Sequence, residues 1–293
     1  MSRPKITIDE ILHYCPRIQS IDPEIQRGGQ KAVFPCKIAD NRFVMMAIEC
    51  GSDEDDEDGT LGRVKREVAI LQTCSSHHLP RIGPIGLCTF ERDGKVLILF
   101  SEEYIDGPTL EATLLDGYLP IDEVVNLALD ITSAIDDLWK QHKIHRDIKP
   151  SNIIRRSADG TYVLLDPGIA FDQEDQSLTG DGIVPHTVGF LAPEQINSTR
   201  KREADQRADF FLLGIVLYIA ITQRHPFVLK PNQSRNATVQ NILVLTPPAP
   251  NVVRSDVPEV LSTVVMRLLE KKKHLRYRDC EQLRLALNAF REG

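Results

Sequence analysis

The chain has 293 residues, with 35 Lys and Arg against 42 Asp and Glu, for a formal charge of −7. Its composition, 42% hydrophobic and 26% charged, excludes a disordered chain and predicts a core that needs no disulfide or metal staple. Six of the acids stand together at residues 53–58, leaving 35 − 36 = −1 elsewhere, so there is no basic excess for a nucleic-acid partner.

The N-terminus, MSRPKITIDEIL, has no apolar signal core. Through the first hundred residues the pattern is strand-like. Arg42–Glu49 and Lys95–Phe100 are short apolar runs, entered through Ala39-Asp40-Asn41 and Asp93-Gly94 turns. One helical segment interrupts them: Val64, Val68, Ile70 and Leu71 recur at helical spacing, with Lys65, Arg66 and Glu67 interleaved. The acidic run precedes it and repels itself, which predicts a solvated loop. After Tyr104 helices take over. Ile121–Gln141 is amphipathic, with Val124, Val125, Leu127, Ala128, Ile131, Ile135 and Leu138 on the inner side. Phe210–Ile221 is apolar all round, as a central buried helix is. At 12 residues it falls short of the ~20 that span a bilayer. Leu261–Leu269 and Cys280–Phe290 are helical again, and Pro247, Pro248 and Pro250 break the helical run. The cysteines at 15, 36, 50, 74, 88 and 280 form no CxxC pair, which excludes a zinc ribbon and reads as reduced thiols. These features predict a cytoplasmic protein with no membrane partner, built from a small β-rich lobe, a connector near Glu103–Gly107 and a larger helical lobe.

The densest chemistry lies in His145-Arg146-Asp147-Ile148-Lys149-Pro150-Ser151-Asn152. Phosphoryl transfer needs a carboxylate to orient and deprotonate the incoming hydroxyl, and a carboxamide and second carboxylate to hold the metal that bridges the phosphates. Asp147 fits the first role. Asn152, five residues on, fits as a metal ligand. Asp166, fourteen further on, follows the strand-like Tyr162–Leu165 and supplies the second carboxylate. Lys149 is placed to neutralise the migrating phosphoryl group. His142 and His145, three apart, read as surface and packing positions rather than a metal pair.

This segment resembles the catalytic loop of the eukaryotic-type serine/threonine protein kinases, whose HRD-x-K-P-x-N pattern it matches at every defined position. Asp166-Pro167-Gly168 stands where the family has Asp-Phe-Gly, and Ala192-Pro193-Glu194 matches its Ala-Pro-Glu. Thr187, Asp209, Gly214 and Arg276 also fall on family positions. The resemblance covers roughly residues 17–290 and implies an α+β, two-lobed protein kinase fold: an N-lobe over about 17–102, a connector over about 103–107 and a C-lobe over about 108–290. It implies ATP and Mg2+ as cofactors, with Mn2+ equally suited to oxygen ligands, and Ser or Thr of a protein as acceptor. It makes Asp147 the base and Asn152 and Asp166 the metal ligands. Gly28 becomes the retained middle glycine of the phosphate loop and Val33 the valine that covers adenine. Glu103 and Tyr104 frame the adenine hydrogen bonds, and Ile154 joins the nucleotide-binding residues. Glu102 guards the back of that site. Glu194 should pair with Arg276, and Arg146 with a phosphate on Ser177 or Thr179.

The family's strand lysine is missing. Val44-Met45-Met46-Ala47-Ile48-Glu49 stands where the family reads V-A-I-K. One register puts Ala47 beside adenine and Glu49 in the lysine's place; a register shifted by two puts Ala47 there instead. A triphosphate still requires a cation. Lys31, at the third glycine position of the loop and with the parity of Val33, is similar to the displaced lysine of the with-no-lysine kinases, with Glu67 as its ion-pair partner. Lys37 is a weaker candidate. Pro167 replaces the phenylalanine of the family's regulatory stack. The resemblance thus implies an ATP-dependent serine/threonine protein kinase using Lys31. The alternative is a pseudokinase serving as a binding module; a small-molecule kinase is disfavoured by Thr187 and the Ala-Pro-Glu segment.

Overall fold

The computed structural model describes residues 6–25, 31–51, 59–166, 189–196 and 205–292. They divide into two units: one ends at Ser75 and resumes over Leu79–Ile105; the other comprises Ser76–His78 and everything from Asp106.

The first unit is a five-stranded antiparallel sheet between two helices. Helix α1 (Ile8–Tyr14) opens with Thr7, whose hydroxyl accepts from Glu10 N while the Glu10 carboxylate accepts from Thr7 N, a reciprocal cap. Strands β1 (Ser20–Ile21), β2 (Lys31–Ile38), β3 (Asn41–Gly51), β4 (Cys88–Arg92) and β5 (Lys95–Glu103) lie in the order β1-β2-β3-β5-β4, and α2 (Thr60–Thr73) follows β3 in sequence. Two-residue turns join β2 to β3 and β4 to β5. Their central residues, Ala39 and Asp40 in one and Asp93 and Gly94 in the other, all have positive φ, the backbone that matches strand twist in a tight hairpin.

These turns fix the register, and the register sorts side chains to faces. Ala32, Phe34, Cys36, Ile38, Met45, Ala47, Leu97 and Leu99 pack with Ile11, Cys15 and Ile18 on the α1 side. Val33, Val44, Met46, Ile48, Ile98 and Phe100 pack with Leu61, Val64 and Val68 of α2 on the other. Because both faces are covered, Val44–Ile48 reads as an unbroken apolar run rather than an alternating one.

The second unit is mostly helical. Its elements are α3 (Leu110–Thr113), α4 (Ile121–Lys140), the two-stranded sheet β6 (Ile153–Arg155) with β7 (Tyr162–Leu164), α5 (Pro193–Ile196), α6 (Gln206–Thr222), α7 (Arg235–Val244), α8 (Pro250–Val253), α9 (Glu259–Leu268) and α10 (Cys280–Glu292). Helix α4 carries Asp122 and Glu123 in its first turn and Lys140 in its last, each sign matched to the helix dipole. It packs on α6, α10 and β7. Helix α6 is capped by the Asp205 carboxylate, which accepts from Arg207 N, and it is enclosed all round; each fully buried Phe, Leu, Ile or Val contributes roughly 1.5–3 kcal/mol. Gly214 lets α9 approach: a Cβ there would stand 2.8 Å from Leu268 Cβ. No helix among the described residues is long and apolar enough to cross a membrane.

Candidate active site

In the second unit the catalytic-loop segment is held by buried polar groups. Arg146 and Asp166 both have left-handed backbones, with φ of 67° and 51°, which non-glycine residues adopt only when their surroundings enforce it. The enforcement at Arg146 is Asp209 of α6. Its Oδ2 accepts from His145 N and its Oδ1 from Arg146 N, both at 2.8 Å. Burial pushes the Asp209 carboxyl up to about 7, against the pull of those two amides.

His145 is fully enclosed, and burial draws its imidazole down to about 4, so it is neutral at pH 7. Its Nε2 lies 3.0 Å from Leu165 O. A carbonyl only accepts, so the proton is on Nε2. Nδ1 then accepts from Asp147 N at 3.3 Å. One imidazole thereby ties the amide of Asp147 to the residue before Asp166.

The Asp147 carboxylate receives Lys149 Nζ at 3.0 and 2.8 Å. Asn152 Nδ2 donates to Asp147 O at 3.0 Å and to Asp147 Oδ2 at 2.8 Å. Both of those partners are acceptors, so the amide orientation is set and Asn152 Oδ1 is turned out as the remaining oxygen. Asn152 O in turn accepts from Leu165 N at 2.8 Å. This is an all-oxygen donor set of carboxamide and carboxylate, which fits a hard divalent cation completed by phosphate oxygens and water. Ile154 lies in β6 opposite Val163, bridged to Thr109. Gly107, at φ 153°, passes so close that a Cβ would meet Arg155 O at 2.0 Å.

The Ala192-Pro193-Glu194 segment is anchored separately. Arg276, 2% exposed, donates to both oxygens of Glu194 at 2.7 and 3.0 Å, and also to Arg207 O and Glu270 O. This ion pair matches the one expected from the sequence. Ala192 N donates to Gln195 Oε1, and Gln195 Nε2 donates to Arg146 O, so the segment is also tied to the catalytic loop.

In the first unit Lys31 Nζ lies 2.6 Å from Glu67 Oε1, the two side chains 11% and 1% exposed. Lys31 opens β2 and pairs directly with Ile48 of β3; Val33 pairs with Met46. Directly opposed residues share a face. That corrects both strand registers expected from the sequence. Ala47 and Glu49 do not share the face of Val33 and Lys31. Ala47 packs on the α1 side, and Glu49 Oε2 receives Lys95 Nζ at 2.7 Å. The reason is parity: the two-residue turn at Ala39-Asp40 puts the even-numbered residues of β3 on the face of the odd-numbered residues of β2. Met46 and Ile48 were therefore the positions to examine, and the turn was the signal that could have found them. Glu103 closes β5, its N donating to Arg81 O at 2.7 Å. The Tyr104 ring lies under the Arg42 guanidinium at 3.8 Å. Lys37 is exposed and opposite Arg42. Gly28, the acidic run at 53–58, Pro167, Gly168, Ser177, Thr179 and Thr187 lie outside the described residues.

The family described as protein kinase domain matches residues 20–284. The chain belongs to that family. This kinase domain is 29% identical over 271 residues to "Probable serine/threonine-protein kinase PknB" of Lactococcus lactis, covering 89% of this chain and 40% of that protein. It is 29% identical over 262 residues to the serine/threonine-protein kinase PknH of Mycobacterium tuberculosis, covering again 89% and 40%. The chain therefore spans well under half the length of these two relatives. Among solved structures, the PknI kinase domain of Mycobacterium tuberculosis, as a double mutant, superposes with a TM-score of 0.65 at 20% identity, covering 94% of this chain and 96% of that one. That likeness establishes the protein kinase fold.

Proposed function

We propose that the chain is an ATP-dependent serine/threonine protein kinase domain whose phosphate-binding cation is Lys31. The observation that carries this reading is the Lys31–Glu67 ion pair, formed from the β2 position directly across the sheet from Ile48. A cation moved one strand sideways reaches the same α2 carboxylate from the same face. Burying such a charge costs several kcal/mol unless it is paired, and the pair is what a phosphate-facing lysine needs to hold its position.

In the proposed reaction Asp147 orients the acceptor Ser or Thr hydroxyl and takes its proton. Lys149, bidentate on Asp147 in this structure, moves its charge toward the transferred phosphoryl group as that proton arrives. Magnesium, held by Asn152 Oδ1 and Asp166, would supply charge neutralisation on the phosphates. His145 and Asp209 hold the backbone of Asp147 in place and exchange no proton with substrate. Protein as the acceptor belongs to the same proposal, supported by the relatives' names and by the Ala-Pro-Glu anchor.

The test is transfer of labelled phosphate from ATP with magnesium to a generic Ser/Thr protein substrate. Wild type should transfer, and Asp147→Asn and Lys31→Met should each lose activity by two orders of magnitude or more. Lys37→Met should retain it. A fully active Lys31→Met would refute the displaced lysine. A wild type that binds nucleotide without transferring phosphate would make the chain a binding module.

A further inference from the structure

Asp147, the base of the proposed reaction, takes its direction from the peptide unit that precedes it. That unit is gripped at both ends. Its N–H donates to His145 Nδ1 at 3.3 Å, and its carbonyl, Arg146 O, accepts from Gln195 Nε2 at 3.3 Å. Arg146 itself is left-handed, at φ 67°, a backbone well that a side-chain-bearing residue does not favour by itself. A plane held at one end pivots about it. Held at both, it fixes the direction in which the Asp147 side chain leaves the backbone.

The Gln195 side chain is in turn locked to its own segment. It is 6% exposed. Its Oε1 accepts from Ala192 N at 2.8 Å, and Ala192 O accepts from Gln195 N at 2.9 Å. An N–H only donates and a carbonyl only accepts, so the carboxamide has one orientation between Ala192 N and Arg146 O. An ionised carboxylate there would accept without donating, and an apolar side chain would do neither. The carboxamide is thus a strut. One end rests on the segment that Arg276 fixes through Glu194, and the other on the peptide that aims the base.

We propose that Gln195 is a positioning residue for phosphate transfer, setting the angle of Asp147 toward the acceptor hydroxyl by bracing the Arg146–Asp147 peptide against the Ala192–Gln195 segment. The inference rests on the proposed kinase activity with Asp147 as its base. It adds a residue that lies outside both the catalytic-loop motif and the Ala-Pro-Glu motif. Gln195 acts through Asp147 and takes no part in the proton transfer.

The experiment is steady-state transfer of labelled phosphate from ATP with magnesium to a generic Ser/Thr protein substrate by the full chain. Wild type, Gln195→Met and Gln195→Glu are compared from mildly acidic to mildly alkaline pH. Misplacing a reacting group by about 1 Å costs up to about a hundredfold. Gln195→Met should therefore lose at least about tenfold in kcat at every pH, with KM for ATP and for protein within about threefold of wild type. Gln195→Glu should show the same loss at alkaline pH, where its carboxylate turns an acceptor toward Arg146 O. Burial beside a carbonyl favours the protonated acid, which donates and accepts as the carboxamide does. The kcat of Gln195→Glu relative to wild type should therefore climb as pH falls. His145, Asp147, Glu194 and Asp209 are common to both proteins and cancel in that ratio. A Gln195→Met with wild-type kcat would overturn the inference and leave the kinase reading standing. So would a Gln195→Glu ratio that stays flat with pH, since a merely structural residue loses activity without regaining it on protonation. If Gln195→Met does not fold, the Gln195→Glu ratio decides; if neither folds, the residue serves stability and the inference falls. A wild type that transfers no phosphate would overturn the kinase reading, and this inference with it.

Discussion

Lys31 meets Glu67 from β2, and Ile48 is its direct cross-strand partner on β3. If the two positions are equivalent, the charge can be moved back. Ile48→Lys placed in the Lys31→Met background should recover a measurable part of phosphate transfer, whereas Glu49→Lys in that background should recover none, because residue 49 faces α1. Comparing initial rates of the two double variants, after circular dichroism shows both folded, checks the register directly. The pair His145 and Asp209 gives a second expectation at this scale. Histidine at about 4 when folded, against 6.5 unfolded, means the unfolded chain binds the extra proton between those values. This residue's contribution is complete above pH 6.5 and is lost as pH falls toward 4. Asp209, raised to about 7, does the reverse: its protonated form is favoured by folding, so its contribution declines as pH rises from about 4 to 7. The two oppose each other from 4 to 6.5. Asp209→Asn removes the counterweight, so unfolding free energies measured in urea at pH 6.5, 5.5 and 4.5 should fall more steeply in that variant than in wild type.

At the scale of elements, the Arg276–Glu194 pair and helix α1 make contrasting cases. Arg276 is enclosed and donates to a carboxylate and to backbone carbonyls at once. Arg276→Met leaves the Glu194 charge buried without its partner and should cost about 3–5 kcal/mol, while the double variant with Glu194→Met should cost less than the sum of the two single ones; chemical denaturation of the three variants measures this. Helix α1 lies before residue 20, where the family match begins, yet Ile11 is fully buried and Tyr14 stacks on Phe90 with centroids 4.2 Å apart. Ile11→Ala should destabilise by roughly 2–4 kcal/mol, read as a lower urea midpoint with an unchanged slope. The sequence made these elements legible to different degrees. The catalytic loop and the central helix α6 were plain, because their signals are local: fixed spacing in one case, a continuous apolar run in the other. Helix α1 has only seven residues and buries one of them, so its pattern was too short to read. Helix α7 buries only Thr238 and Ile242 and offers little periodicity. The β3 register failed for another reason. The run Val44–Ile48 is apolar on both faces, so hydrophobicity carries no parity, and only the turn geometry decides.

For the whole molecule, the divided architecture was legible from the change of pattern near Tyr104, and the contour split falls between Ile105 and Asp106. What composition did not reveal was that the first unit has helices on both sides of its sheet. Nucleotide binding should register across the entire chain as thermal stabilisation. A ligand at a hundred times its dissociation constant adds about 2.7 kcal/mol, which for a chain this long is several degrees in Tm. A scan with and without ATP and magnesium should show that shift in wild type and a much smaller one in Lys31→Met.

The cross-strand placement of Lys31 also bears on how such a site can change hands. A protein carrying lysines at both 31 and 48 would set two ammonium groups opposite each other over the single carboxylate of Glu67. The two oxygens of that carboxylate could accept from both, but one negative charge would then face two positive ones in an enclosed site, a net charge that neither single-lysine form carries. The two arrangements then behave as exclusive alternatives, and a chain with this sheet is expected to hold one lysine or the other, with an apolar residue such as Ile48 filling the position left behind.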